Sequence, residues 1–199
     1  LIYYIILMEA AGAVMKSTWS KISKSFSLTV LLPLASASAF AAPLSFDCDV
    51  PPDHFSSVSE ELTGAPAISG TVKVVQMRSG NNLPVAGARL VSADGINSVG
   101  LQLVAASIHA KQFDIVLNTK RGDNIQRSTV GQVATDVAVP FSLSLSADGK
   151  VTLLVGTSSF NADFMPIPHG KAMAFCSTAQ FKFTGLAFST TSTENSAGP

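Results

Sequence analysis

Phe141-Ser142-Leu143-Ser144-Leu145-Ser146-Ala147-Asp148-Gly149-Lys150-Val151-Thr152-Leu153-Leu154-Val155 is written in period two. Phe141, Leu143 and Leu145 alternate with serines, which places one apolar face against a core and one polar face toward water. Asp148-Gly149 is a pair that tolerates the positive φ of a tight turn, and Val151, Leu153 and Val155 resume the alternation beyond it. The stretch therefore reads as a hairpin of two half-buried antiparallel strands.

The same grammar extends outward on both sides. Ile68 to Met77 is β-branched and runs into the turn formers Arg78 to Asn82. Ala86 to Val91 ends at Asp94-Gly95, and Ser98 to Ala105 carries Val99, Leu101 and Leu103 on one face. Phe113, Ile115 and Leu117 alternate with Asp114, Val116 and Asn118 before Lys120 to Asn124. Ile125 to Val133 is a weaker strand. Lys171 to Cys176 and Gln180 to Ser189 close the set, with Phe181 and Phe183 inward and Lys182 and Thr184 outward. Ser56 to Leu62 reads as one or two helical turns with a serine cap and a glutamate in the first turn. About ten short strands separated by turn signals describe an all-β fold, a single antiparallel β-sandwich or barrel over residues 42–189. The small polar tail 190–199 reads as disordered.

Ahead of this domain, Lys16, Lys21 and Lys24 precede an apolar run through Phe26, Leu28, Val30, Leu31, Leu32 and Leu34. The run ends in Ala35 to Ala42, with Ala39 and Ala41 at the positions where signal peptidase takes small side chains. This is the layout of a secretory signal peptide over residues 15–41, cut after Ala41. The run is shorter than the ~20 residues that span a bilayer, so no membrane span is expected after cleavage. Translation is expected to begin at Met15-Lys16, with residues 1–14 expected to be a gene-model extension. The expected location is secreted or periplasmic.

Removing residues 1–41 leaves 158, enough for one domain with one core. Of the 13 Lys+Arg and 13 Asp+Glu, three lysines and Glu9 leave with the signal, so the remainder carries about −2 and gives no electrostatic reason to bind nucleic acid. Trp19, Tyr3 and Tyr4 also leave, so phenylalanine is the remaining large aromatic. Sugar platforms favour Trp and Tyr for their polar edges, whereas Phe is ordinarily core. Cys48 and Cys176 form an even pair in an oxidising compartment, read as a disulfide between the first and the penultimate strand.

A long alternating hairpin followed by a polar loop and a last strand Ala179-Gln180-Phe181-Lys182-Phe183, with the terminal strands within disulfide reach, resembles the concanavalin A-like lectin/glucanase sandwich. Immunoglobulin-like and jelly-roll sandwiches remain alternatives. The resemblance covers roughly Leu44 to Ser189 and implies sugar binding or glycan cleavage, with terminal strands paired. Hydrolases of that class carry glutamates around an aspartate at two- and four-residue spacing on one strand. Here Glu60 and Glu61 are adjacent, Glu194 sits in the tail, and Asp94, Asp123, Asp136, Asp148 and Asp163 read as turn or loop residues.

Other chemistries lack their residues. No Gly-x-Ser-x-Gly elbow precedes a helix. His54, His109 and His169 are far apart in sequence and show no metal-ligand spacing. Asp47, Asp49 and Asp53, or Asn161 with Asp163, supply oxygens of the kind calcium uses, but capping is the simpler role. Arg121-Gly122-Asp123 is ordinary turn chemistry. No cofactor, metal or catalytic residue is assigned. The candidate ligand edge is Phe160, Asn161 and Asp163, with His169 as a loop contact; Phe160 and Phe164 on one buried strand face is the simpler account. The expected function is a non-catalytic exported binding or structural protein whose partner is a glycan or another extracytoplasmic protein. The alternative is a lectin-like protein or glycan hydrolase.

Overall fold

A computed structural model describes residues 43–191. The signal segment, residues 1–14 and the tail beyond Thr191 lie outside the described residues. The chain runs β1 (Leu44–Asp49), β2 (Phe55–Thr63), β3 (Ala65–Met77), β4 (Val85–Ser92), β5 (Ser98–Ala105), β6 (Gln112–Arg121), β7 (Asn124–Ala134), β8 (Val139–Leu145), β9 (Lys150–Val155), β10 (Ser158–Asp163), β11 (His169–Ser177) and β12 (Ala179–Thr191). Two six-stranded antiparallel sheets form a sandwich. Sheet A has the order β1-β12-β3-β8-β9-β10, and sheet B has β2-β11-β4-β5-β6-β7.

The hairpin is built as its alternation requires. Phe141 pairs with Val155 and Leu145 with Val151, and Phe141, Leu143, Leu145, Val151, Leu153 and Val155 are all buried. The turn uses the tetrapeptide Ser146-Ala147-Asp148-Gly149, and the same four residues recur at Ser92-Ala93-Asp94-Gly95 between β4 and β5. In both, the serine hydroxyl donates to the aspartate at 2.5 Å, and the glycine amide donates to the serine carbonyl. Gly149 and Gly95 have φ of 86° and 72°, a region closed to most side chains. Serine and aspartate thus supply locally the polar partners that a turn would otherwise seek from water.

Between the sheets lie Phe113, Phe181, Phe183, Leu101, Leu103, Ile115, Leu143 and Leu153, all fully buried. Phe113 of sheet B meets Phe181 of sheet A at 5.9 Å between ring centroids, and Phe141 meets Phe183 edge-on at 6.2 Å. Each such side chain contributes roughly 1.5–3 kcal/mol by leaving water. Cys48 on β1 and Cys176 on β11 are bonded, with Cα atoms 6.0 Å apart. The cystine therefore crosses from one sheet to the other. The terminal strands β1 and β12 pair antiparallel.

Three local expectations are corrected. Ser56 to Leu62 is not helical; it belongs to β2, paired with β11 from Phe55↔Ser177 to Thr63↔His169. Val58 and Leu62, four apart, share a face in a helix and in a strand alike, so their spacing does not discriminate. The open edge of β11 decides it, by completing a ladder that a lone helical turn could not match. Asp163 ends β10 rather than sitting in a loop, and His169 opens β11. Twelve strands form among the described residues where about ten are legible, because β2 and β10 carry weak apolar patterns. No helix of the described residues is long and apolar enough to cross a membrane.

Candidate functional site

The edge formed by β9 and β10 is occupied by its own pairings. Asp163 is bridged to Lys150 at 2.5 Å, and this carboxylate holds the Lys150 ammonium above its ordinary pKa. Asn161 accepts from the Thr152 hydroxyl at 3.2 Å. Phe160 and Phe164 are half-buried against the core; Phe160 reaches Gly131 of β7, where an added methyl would lie 3.3 Å from the ring. Arg121 donates to the Asp163 carbonyl and stacks on Phe164, its guanidinium 5.1 Å from the ring centroid. Phe160, Asn161 and Asp163 thus share one hairpin, while the exposed His169 lies in the other sheet beside Thr63. The strand order puts β10 and β11 toward opposite ends of the sandwich.

The acids flanking Cys48 in sequence, Asp47, Asp49 and Asp53, have private partners. Asp49 is bridged to Arg78 at 2.7 Å. Gln180 donates to Asp47. Asp53 accepts from the Asn81 and Asn82 amides, which hold its carboxyl below the usual range. Among the described residues no three or more His, Cys, Asp or Glu side chains converge as a metal site.

The outer face of sheet B is arranged differently. Phe55 on the edge strand β2 is 58% exposed and its ring lies 5.5 Å from that of Phe175 on β11. The Phe175 ring extends over Gly87 of β4, where an added methyl would meet it at 2.5 Å. Glycine is required there because the ring occupies the space a side chain would fill. The Arg89 guanidinium sits 5.4 Å from the centre of the same ring. Burial first, and then the like charge of Arg127, hold Arg89 below its ordinary pKa, although a guanidinium stays protonated in proteins. Further along the sheet, Asn118 Nδ2 is buried without a hydrogen-bond partner among the described residues. An exposed aromatic, a stacked cation and an unmet amide donor therefore occupy one face. This is a mixture able to stack on and hydrogen-bond a polar ligand. Sequence reasoning misses Phe55, Phe175, Arg89 and Asn118; the only local signal is a glycine, Gly87, inside an otherwise regular strand.

Larger surface cavities lie elsewhere. One of about 560 Å³ is lined by Ala110, Lys111, Gln112, Ala134, Thr135 and Asp136. Another of about 520 Å³ opens on sheet A beside Lys73 and Lys182. Neither collects two carboxylates.

No family model matches the chain, and no curated protein sequence matches it. Solved structures of similar fold do exist. A carbohydrate-binding module, CBM66 from Bacillus subtilis, is 11% identical over 76% of this chain and 95% of that one, with a TM-score of 0.48. An alginate lyase from Alteromonas sp. 272 is 12% identical over 74% and 87%, with a TM-score of 0.48. A toad ovary galectin in complex with N-acetylgalactose is 15% identical over 67% and 97%, with a TM-score of 0.47. No residue role is carried over from any of them.

Proposed function

We propose that this chain is an exported, non-catalytic β-sandwich protein that binds a glycan on the outer face of sheet B. The observation carrying this reading is the exposed Phe55 ring, held against Phe175 beside the stacked Arg89. A sugar ring offers apolar C–H patches to an aromatic face and hydroxyls to neighbouring donors, and this face supplies both. Export is supported by the cystine, which persists in oxidising compartments. The non-catalytic part is supported by the carboxylates. Glu60 and Glu61 occupy successive positions of β2 and so point to opposite sides. Asp49 and Asp163 are each held in an ion pair. A paired acid and nucleophile would need two carboxylates converging at about 5–9.5 Å.

The test is a glycan array probed with the purified protein, followed by Phe55→Ala on whichever glycans bind. Binding that falls about tenfold on losing the ring supports the reading, since aromatic contacts of this kind carry on the order of 1 kcal/mol or more. An array without signal overturns it, and release of reducing ends from a bound glycan overturns the non-catalytic part.

A further inference from the structure

Arg89, Gly100, Asn118 and Arg127 are successive register partners on β4, β5, β6 and β7. They form one cross-strand row on the outer face of sheet B, with neighbouring strands ~4.8 Å apart. Among the described residues neither arginine has a hydrogen bond or ion pair; Arg89 only stacks on Phe175. Between them, Asn118 Nδ2 is buried without an acceptor. At Gly100 an added methyl would lie 2.9 Å from the Ala88 carbonyl and 3.3 Å from the Arg89 side chain. Glycine at position 100 thus lets the Arg89 stem lie against the backbone of β5, on the side of Asn118. All three side chains present donors, two of them charged, and the matching acceptor is missing.

The surroundings have the same sign. In the neighbouring row Lys171 pairs with Glu61 in register, and Lys120 pairs with Ser98. Lys120 donates to the Gly95 carbonyl and lies within Coulombic reach of the Asp94 carboxylate. These two rows carry four cationic side chains against the Glu61 carboxylate within them and Asp94 beside Lys120, on a chain whose formal net charge is zero. The excess of cations gives the face a local positive charge able to draw an anion to it.

We propose that this row binds the anionic group of an acidic saccharide, a uronate carboxylate or a sugar sulfate. The group lies between Arg89 and Arg127 and accepts from Asn118 Nδ2. Guanidinium forks match the paired oxygens of such a group, and a charge-assisted bond is about twice as strong as a neutral one. Arg127 is exposed on the edge strand, in register with Asn118, and its long side chain can swing toward the ligand. The inference rests on the glycan reading above and names the chemistry of the ligand.

The experiment is calorimetric titration of the purified protein with polygalacturonate and its full methyl ester, and with dextran sulfate and dextran. One charged polymer of the two pairs should bind about tenfold or more tightly than its neutral counterpart, which also separates carboxylate from sulfate. Arg89→Gln and Arg127→Gln should each weaken that binding about tenfold. Arg127 is exposed, so Arg127→Gln should leave the melting temperature unchanged and report on binding alone. Asn118→Leu should weaken binding while leaving the melting temperature unchanged or higher, because it removes a buried donor that has no partner. A merely structural asparagine would instead lose stability. Equal binding of charged and neutral polymers overturns the anionic site and leaves the glycan reading intact. Binding of none of the four polymers, with a silent glycan array, overturns both. If Lys73→Gln with Lys182→Gln, on the outer face of sheet A, weakens binding as much as Arg127→Gln, the attraction is diffuse and the site falls.

Discussion

The outer faces of the two sheets are made from the same alternation and end in opposite states. On sheet A the polar outward positions of β8 to β10 are small or locally paired, while Lys73, Lys182 and the exposed Val75 lie apart from them on β3 and β12. Ser142 and Ser144 stand on β8, Thr152 donates to Asn161, and Lys150 meets Asp163. On sheet B the outward positions include large and charged side chains, and part of their bonding capacity is unused: Arg89 stacked, Asn118 unmet, Phe55 exposed. The difference shows where stability is complete and where it has been left open. A buried donor without a partner costs on the order of 1–3 kcal/mol, so a face that retains one is the place to look for a ligand.

Of the changes that would break this contrast between the sheets, loss of the cystine should cost the most. Replacing both cysteines by serine removes the disulfide that bridges the two sheets over a sequence separation of 128. Chain entropy values this at roughly 4–5 kcal/mol, and for a domain of this size each kcal/mol shifts the melting temperature by about 2–4 °C. Calorimetry should therefore show a fall of roughly 10 °C or more; a fall of a degree or two would mean the sheets hold together without it.

Next come Leu153→Ala from sheet A and Leu101→Ala from sheet B, both fully buried. Each should cost about 2–5 kcal/mol in urea unfolding, since each leaves a cavity in the same shared core. A large loss from one and almost none from the other would show that the two sheets do not share a single core.

Gly87→Ala is smaller and specific to sheet B. Its methyl would overlap the Leu101 carbonyl and lie 2.5 Å from the Phe175 ring. A loss of about 1–3 kcal/mol is expected from such overpacking, together with a changed Phe55 environment. Unchanged stability would show that Phe175 moves freely, and would undo the platform on which Arg89 stacks.

The twin turns give a pH test that treats the sheets alike. The Ser92 and Ser146 hydroxyls, as the leading cause, hold the Asp94 and Asp148 carboxyls below their ordinary pKa. A carboxyl depressed on folding stabilises above its unfolded value of about 3.9, and that contribution is lost as the pH falls through the lower folded value. Ser92→Ala and Ser146→Ala should each flatten the acid limb of the urea midpoint against pH, by similar amounts. If only one does so, the two turns are not equivalent. The smallest effect is Lys150→Ala. An exposed ion pair of this kind should leave the urea midpoint almost unchanged, with any difference vanishing in high salt.

What is legible in the chain is local. The hairpin from Phe141 to Val155 declares itself because its turn, its period and its buried face all lie within 15 residues. Ser98 to Ala105 is legible to its final boundaries for the same reason. β2 is not, because Val58 and Leu62 fit either periodicity and its partner β11 lies more than a hundred residues away. The expected ligand edge has the right residue types in a row, but Lys150, Thr152 and Arg121 already engage them.

By itself the sequence determined the period-two strands, the Asp-Gly turns, the Phe-rich core and the cysteine pair, because alternation, turn chemistry and composition act over a few residues. The tertiary structure alone decided that Arg89, Asn118, Arg127 and Phe175 share one face. They come from four strands, and only the ladder register, set by pairings distant in sequence, brings their side chains to the same side of the same sheet.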